Sequence, residues 1–286
     1  MVRHQYKPYI LLKLLLLPLY CLIFNEQAQA QQFNIGPRIG AQYSYLQAEN
    51  VERKADFEYS GILAYQAGAV LTFGLTPRFS LQTELNYSRK GANIRIIEPG
   101  LRNEIRFSHL EWSGMFRLHL DPDEARPVGQ PDFYLMFGPN VSYWLGGKGN
   151  LSGGELVFFA PIDYSISFND PNLTIDQLNY IEPNRLQWGF DFGVGADLKV
   201  WKEQHLLLNL RYTLTHSYLS DFADASSIRL LTFEDFTRSA NRVISLSVAY
   251  TFGVDLSLLR KGKSKSDRPS KVKTKAVKTP RPRRKN

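Results

Sequence analysis

The chain has 286 residues, of which 43% are hydrophobic, and its formal charge of +8 is spread very unevenly. Residues 260–286 contain 13 lysines and arginines against one acid, whereas residues 31–259 carry a net charge of −6. The only cysteine, Cys21, falls in a segment that export would remove, which excludes a disulfide framework, thiol catalysis and a thiolate zinc site in the mature chain.

The N-terminal segment has the pattern of a secretion signal. Arg3 and Lys7 give it a positive start, Ile10 to Phe24 form an apolar run, and Ala28 to Ala30 read small-x-small as at a cleavage site. The apolar run is shorter than the roughly 18–20 clean apolar residues that a spanning helix needs. The sequence therefore predicts a signal peptide over residues 1–30, ahead of one folded domain.

Eight segments of the body alternate apolar and polar residues with a period of two. Successive side chains of a strand point to opposite faces, so each segment predicts a strand with one apolar and one polar face. The predicted strands run through Phe33–Tyr45, Tyr65–Phe73, Phe79–Tyr87, His109–His119, Phe133–Leu145, Trp188–Val200, Leu206–Leu214 and Ile244–Phe252.

The stretch from Leu186 to Leu214 is the clearest of these patterns. Its two long arms are joined by a short polar turn, and in the first arm Trp188, Phe190 and Phe192 alternate with glycine and aspartate. Strands of soluble proteins centre near 5–6 residues. About 9–11 tilted residues span a bilayer, and these arms are at least that long. A long two-faced hairpin is the unit of a transmembrane barrel, which we favour over a soluble sandwich.

Connection lengths alternate along the chain. Long and short connections in turn are typical of bacterial barrels with short periplasmic turns and long outer loops. We therefore predict an all-β fold, an eight-stranded antiparallel up-and-down transmembrane β-barrel over residues 31–255, in the outer membrane with both termini periplasmic. The long connections are Leu46–Gly61, Lys90–Asn103, Gly146–Asn184 and Leu219–Ala240, and the short ones are Leu75–Arg78, Asp121–Pro131 and Trp201–Gln204.

The polar face of the predicted strands would line the lumen. An eight-stranded barrel is just wide enough for side chains to fill, and a buried charge without a partner is costly. We therefore predict a polar network that plugs the barrel, with a water-filled pore as the alternative. Its ionisable members would be Arg38, Glu84, Glu111, Arg117, Asp191, Asp197, Lys199 and Arg211, accompanied by His109 and His119.

Evidence for enzymatic chemistry is sparse in this sequence. His216 and Ser217, with Asp221 nearby, fall at the predicted outer rim, where some small barrels modify lipid A. Their spacing does not match the His-x-Ser arrangement of lipid A deacylases. No phosphate loop, metal spacing or HExxH motif occurs, so we expect neither a cofactor nor an enzyme.

The long loops are the expected place for specific binding, because function on rigid scaffolds collects in loops. Leu46–Gly61, Gly147–Asn184 and Leu219–Ala240 all carry a net negative charge. An acidic rim could bind divalent cations that bridge lipopolysaccharide, bind a partner protein, or serve only solubility. Leu156 to Phe168 is apolar enough to extend the sheet above the membrane or to form a protein contact.

The C-terminal residues 256–286 form a separate basic tail. Prolines, serines and a base at nearly every second position cannot bury a core, so the composition predicts disorder. Barrel topology would place the tail in the periplasm, away from nucleic acid. We expect residues 260–286 to bind peptidoglycan carboxylates, inner-leaflet phosphates or an acidic partner, and we expect a monomer in contact with outer-membrane lipid and lipopolysaccharide.

Seven segments carry a resemblance to a known family, namely Ile35–Gly40, His109–Trp112, Phe116–Leu118, Tyr134–Pro139, Phe190–Ala196, Leu210–Tyr212 and Leu246–Phe252. They resemble the outer-membrane β-barrel proteins of Bacteroidota that are labelled porin-family or PorT-like. The resemblance implies an eight-stranded barrel without a defined activity, although some PorT-like members serve a secretion system, which keeps a secretion-accessory function open. The chain departs from the pattern after Phe252, where barrels commonly end and 34 further residues follow here.

Overall fold

The computed structural model describes most of the predicted barrel domain. The described residues are 33–48, 57–97, 100–121, 127–153, 161–170, 172, 174, 176–180, 183–220 and 239–254. The predicted signal peptide and the basic tail lie outside them, as does Asp221. Within these residues no helix is long and apolar enough to cross a membrane.

The described residues form ten strands. Most of them are far longer than the strands of soluble domains, as the length of the alternating segments predicts. They are β1 (Phe33–Ala48), β2 (Phe57–Gly74), β3 (Phe79–Ile96), β4 (Leu101–His119), β5 (Pro131–Gly153), β6 (Ile162–Phe168), β7 (Gln177–Tyr180), β8 (Leu186–Trp201), β9 (Gln204–Thr215) and β10 (Ser239–Val254).

Eight of these strands close into a ring. The order around it is β1, β2, β3, β4, β5, β8, β9 and β10, every neighbouring pair is antiparallel, and β10 pairs again with β1. Closure leaves the ring without sheet edges, so each strand has a hydrogen-bonding partner on both sides. The predicted eight-stranded up-and-down barrel is confirmed.

Strands β6 and β7 lie in the long connection between β5 and β8. Strand β6 pairs antiparallel with β5 from Lys148 to Leu151, and β7 pairs parallel with β6. The prediction that the segment ending at Phe168 extends the sheet is therefore confirmed for residues 162–168, while residues 154–160 lie outside the described part of the chain.

The predicted long loop from Lys90 to Asn103 is wrong. Strand β3 continues to Ile96 and β4 begins at Leu101, so most of the segment is paired strand. The alternation of polarity does continue there, but with the opposite sign. A prediction that expects apolar residues at the outward positions therefore ends the strand too early, where the polarity reverses.

The exchange of apolar and polar residues between the two faces is clearest in β4, whose odd-numbered residues face inward along its whole length. Toward the chain start the inward residues are apolar (Ile105 and Phe107), and beyond them they are polar (His109 and Glu111). The outward residues change in the opposite sense. Arg102, Glu104 and Arg106 are followed by Leu110, Trp112, Phe116 and Leu118.

Outward apolar residues form a belt around the barrel. Large side chains remain exposed on it, among them Leu63 at 74%, Ile39 at 61% and Phe137 at 54%. On β5 the belt extends from Phe133 to Leu145, which corresponds to roughly 40 Å along the strand and about 30 Å across a bilayer after tilting. A continuous exposed belt of this height is suited to hydrocarbon and not to water.

At the end of the barrel where β6 and β7 lie, the inside of the barrel contains an apolar core. Its centre is Trp144, whose ring lies 5.1 Å from that of Phe107, 4.8 Å from Phe168 on β6 and 4.9 Å from Tyr180 on β7. Strands β6 and β7 therefore cover this end of the lumen. We call this group the apolar cluster; its buried members are Leu46, Ala92, Ile94, Leu101, Ile105, Phe107, Trp144, Leu151, Tyr164, Leu178, Tyr180 and Leu219.

Candidate functional site

Two acids and two arginines meet in the middle of the lumen. Glu84 Oε2 lies 3.1 Å from Arg38 Nη1 and 2.9 Å from Arg211 Nη1, and Arg211 Nη1 lies 3.4 Å from Asp191 Oδ2. The four side chains are at most 3% exposed. They come from β1, β3, β8 and β9, so the cluster connects distant parts of the ring. We call these four residues the central charge cluster.

Neutral side chains complete the hydrogen bonding of both carboxylates. Ser113 Oγ and Thr213 Oγ1 donate to Asp191 at 2.8 and 2.6 Å. Gln82 and Asn86 donate to Glu84 at 2.6 and 3.1 Å. Buried ions are tolerated only when they are both paired and hydrogen-bonded, which is the condition met here.

The remaining predicted charges lie outside this cluster. Glu111 forms an ion pair with Lys90, and Arg117 lies 3.2 Å from Asp197 while its guanidinium stacks 3.7 Å above the ring of Tyr134. Lys199 is partly buried near the end of β8 and has no ion pair with a described residue. Water at the barrel mouth can solvate its ammonium group, which removes the need for a partner.

Sequence reasoning missed Lys90, whose side chain is almost completely buried. The predicted loop started at this residue, so its charge was not assigned to the lumen. A signal was nevertheless present, because Glu84, Asn86, Ser88 and Lys90 occupy every second position of one strand.

His109 lies at the boundary between the polar lumen and the apolar cluster. Its ring is stacked on Trp144 with an interplanar angle of 15°, and neither ring nitrogen has a hydrogen-bond partner among the described residues. His109 therefore lies beside the predicted polar network but is not hydrogen-bonded to it. Its ring packs as part of the wall below the apolar cluster.

His119 forms a chain of hydrogen bonds at the opposite end of the lumen. Its Nε2 lies 2.8 Å from Ser80 Oγ, and its Nδ1 lies 2.6 Å from Asp132 Oδ2. The order serine, imidazole and carboxylate is that of a hydrolase triad. Sequence reasoning did not find it, because the three residues belong to β3, β4 and β5 and only the register brings them together.

Two features of Ser80 argue against catalysis. Its side chain is buried, and the residue lies inside a strand paired to Gly74 on one side and to Arg117 on the other. Backbone N–H groups in a doubly paired strand are committed to the sheet and cannot form an oxyanion hole. The chain of hydrogen bonds instead fastens β3, β4 and β5 to one another.

Of the three residues at the predicted outer rim, His216 and Ser217 are described and Asp221 lies outside the described residues. The Ser217 hydroxyl accepts a hydrogen bond from the backbone N–H of Trp188 at 3.0 Å, and the His216 ring packs 4.5 Å from that of Trp188. In the part of the chain that the structure describes, no three His, Cys, Asp or Glu side chains are grouped so that they could hold a metal ion.

A fluorophosphonate probe tests the serine directly. We expect no labelling of the folded barrel in detergent, because Ser80 lacks both access and an oxyanion hole. Labelling would be followed by mass spectrometry, with His119→Ala as the matched control. Modification of Ser80 that disappears in His119→Ala would contradict the structural role of this serine.

The chain is similar to several solved structures, each with a TM-score below 0.5. OprG of Pseudomonas aeruginosa has 10% sequence identity and a TM-score of 0.43, with 79% of this chain and 95% of that chain covered. Neisserial surface protein A has 10% identity and a TM-score of 0.37, covering 78% and 99%. Outer membrane protein W of E. coli has 14% identity and a TM-score of 0.31, covering 79% and 100%. Similarity at this level carries no argument about function.

No curated protein matches the chain in sequence. The family of the outer membrane protein beta-barrel domain matches residues 27–215, which is well over half of the chain and ends at the last residue of β9. Together with the closed ring of strands and its apolar belt, this match shows that the chain belongs to the outer membrane protein beta-barrel domain family.

Proposed function

We propose that the protein is a non-enzymatic outer-membrane barrel whose lumen is closed and which has a structural or surface-binding function. The observation that carries the proposal is the packing of the central charge cluster, in which Arg38, Glu84, Asp191 and Arg211 are nearly inaccessible to solvent. The carboxylates of Glu84 and Asp191 are paired with arginines and accept hydrogen bonds from neighbouring side chains, so their charges need no water for compensation, whereas Arg38 Nε and Arg211 Nε have no hydrogen-bond partner among the described residues.

The apolar cluster also supports a closed lumen, at a different height from the central charge cluster. Trp144 and Phe107 fill the lumen above the polar residues, and Phe168 and Tyr180 cover them from β6 and β7. An apolar constriction excludes ions because they would have to shed their hydration shells. An ion would therefore meet two barriers of different chemistry in series.

The lengths of the connections support an orientation. The short turns Leu75–Arg78 and Lys202–Glu203 share one end of the ring with the paired residues Phe33 and Val254. The connections from β1 to β2, from β5 to β8 (which contains β6 and β7) and from β9 to β10 join strand ends at the other end of the ring, as does the short β3–β4 connection. In bacterial barrels the short turns are periplasmic, so we place both termini in the periplasm and the long-loop end outside.

We further propose a narrower family, an oligomeric state and binding partners for this barrel. The motifs quoted above favour a PorT-like barrel of Bacteroidota that acts as a monomer in contact with lipid and lipopolysaccharide. The net charge of residues 260–286 favours binding of this tail to peptidoglycan or an acidic periplasmic partner.

Planar-bilayer recording tests the closed lumen. The purified full-length protein should leave the bilayer insulating, because both the charge cluster and the apolar cluster block the path. A sixteen-stranded porin inserted into the same bilayer would serve as the positive control. Repeated ion-selective steps from this protein would instead establish a small pore and refute the proposal.

A further inference from the structure

Three basic residues follow the apolar belt on the outward face of adjacent strands. Arg89 on β3, Arg106 on β4 and Lys148 on β5 occupy the first charged positions beyond the belt at the long-loop end. We call these three residues the basic row. The sequence predicts an acidic rim from the charge of the loops, so a basic row next to the membrane differs from that expectation.

The register brings the three cations together. Arg106 lies directly opposite Lys148, and Arg89 lies opposite Ser108, which places it diagonally next to Arg106. Gly91, the other residue opposite Arg106, adds no side chain between them. Like charges in directly opposed cross-strand positions are unfavourable on their own, so an anion that binds between them would stabilise the arrangement.

Their height corresponds to the headgroup region of a leaflet. Tyr87 and Leu110 are opposite one another at the end of the apolar belt, and the Tyr87 hydroxyl donates to Ser108 Oγ at 3.0 Å. Tyrosines at such positions mark the membrane interface. The basic row lies two to four residues farther along the tilted strands, which places it about 5–10 Å above the hydrocarbon and within reach of long side chains.

Neighbouring acids neutralise the basic row only in part. Glu104 lies 2.7 Å from Arg106, one step farther from the belt. Within the described part of the chain, Arg89 and Lys148 have no ion pair; Arg89 is partly buried, and its Nε is a buried atom without a hydrogen-bond partner. An anion that approaches from the membrane therefore meets the cations before it meets Glu104.

We propose that the basic row binds the phosphate groups of lipid A, the membrane anchor of lipopolysaccharide. This inference rests on the orientation proposed above, since lipid A occupies the outer leaflet. Guanidinium groups bind phosphate oxygens in bidentate fashion, and an ammonium group adds a strong point charge beside them. Phosphates attached to a rigid disaccharide at headgroup height match cations held at adjacent positions on a rigid sheet.

Binding of purified lipid A to the folded, detergent-solubilised full-length protein tests the site. The triple variant Arg89→Gln/Arg106→Gln/Lys148→Gln should bind bisphosphorylated lipid A roughly a hundredfold more weakly, because each of the three basic residues contributes about 1 kcal/mol near an anionic surface. Its binding of dephosphorylated lipid A should not change. The matched control Arg78→Gln/Lys202→Gln/Arg95→Gln removes the same charge elsewhere and should bind within about twofold of the native protein.

Three results would overturn the assignment. The native protein could bind both forms of lipid A equally, the triple variant could retain its affinity, or the charge control could lose as much as the triple variant. Competition by phosphatidylglycerol vesicles or inorganic phosphate as strong as by lipid A would establish a general anion site instead. Electrophoretic mobility of the unheated protein would verify folding, and bilayer recording reports separately on the closed lumen.

Discussion

Replacing Glu84 by alanine should lower the free energy of unfolding by about 3–5 kcal/mol, which is the usual cost of breaking a buried ion pair by removing one partner. The Glu84 carboxylate lies 3.1 Å from Arg38 and 2.9 Å from Arg211. Its removal leaves Asp191 as the only acid of the cluster facing two buried arginines. The excess positive charge cannot reach water, because both arginine side chains are almost completely buried.

Urea-induced unfolding in lipid vesicles, followed by tryptophan fluorescence, would measure this loss. Glu84→Gln nearly preserves the volume, so a similar loss in that variant would assign the effect to charge and not to a cavity. The matched control is Glu58→Ala, because Glu58 lies 3.8 Å from Arg95 and the two side chains are 66% and 65% exposed. A solvated pair of this kind contributes at most about 1 kcal/mol. Equal losses at Glu84 and Glu58 would show that the cluster does not stabilise the barrel.

The strand pattern was predictable because it is local. Each residue of a strand alternates with its neighbours, so the faces of Arg38, Glu84, Asp191 and Arg211 could be assigned from sequence without knowing any contact. Closure of the ring also followed from local features, namely the number of strands and the short turns between some of them. These features require no knowledge of which side chains touch.

The pairing of charges could not be predicted in the same way. Arg117 and Asp197 are separated by 80 positions in sequence, and their contact depends on two registers, that of β4 with β5 and that of β5 with β8. The alternation of polar and apolar residues also does not indicate whether lipid or water surrounds a given part of the barrel. Apolar residues face outward in the bilayer and inward above it, so a rule that is correct at Leu110 fails at Ile105 on the same strand.

Replacing Phe137 by arginine should lower the free energy of unfolding in lipid vesicles by about 2–4 kcal/mol, because a charge on the lipid face is most costly near the bilayer midplane. Phe137 lies near the middle of the belt on β5 and is already 54% exposed, so the larger side chain meets no steric barrier. If water surrounded the belt, the same substitution would change stability by only about 0.5 kcal/mol. The two environments therefore predict clearly different results.

Asn150→Arg provides the matched control on the same strand and the same outward face. Asn150 lies above the belt, opposite Glu104 on β4 and Asp163 on β6, so an arginine there meets water and two acids. Its effect on unfolding, measured in the same vesicles, should be close to zero. A loss at Phe137 without a loss at Asn150 would place the hydrocarbon boundary between them, where the polarity of the strand reverses. Equal and small effects would mean that lipid does not cover the belt, which would contradict the membrane-spanning arrangement of the whole ring.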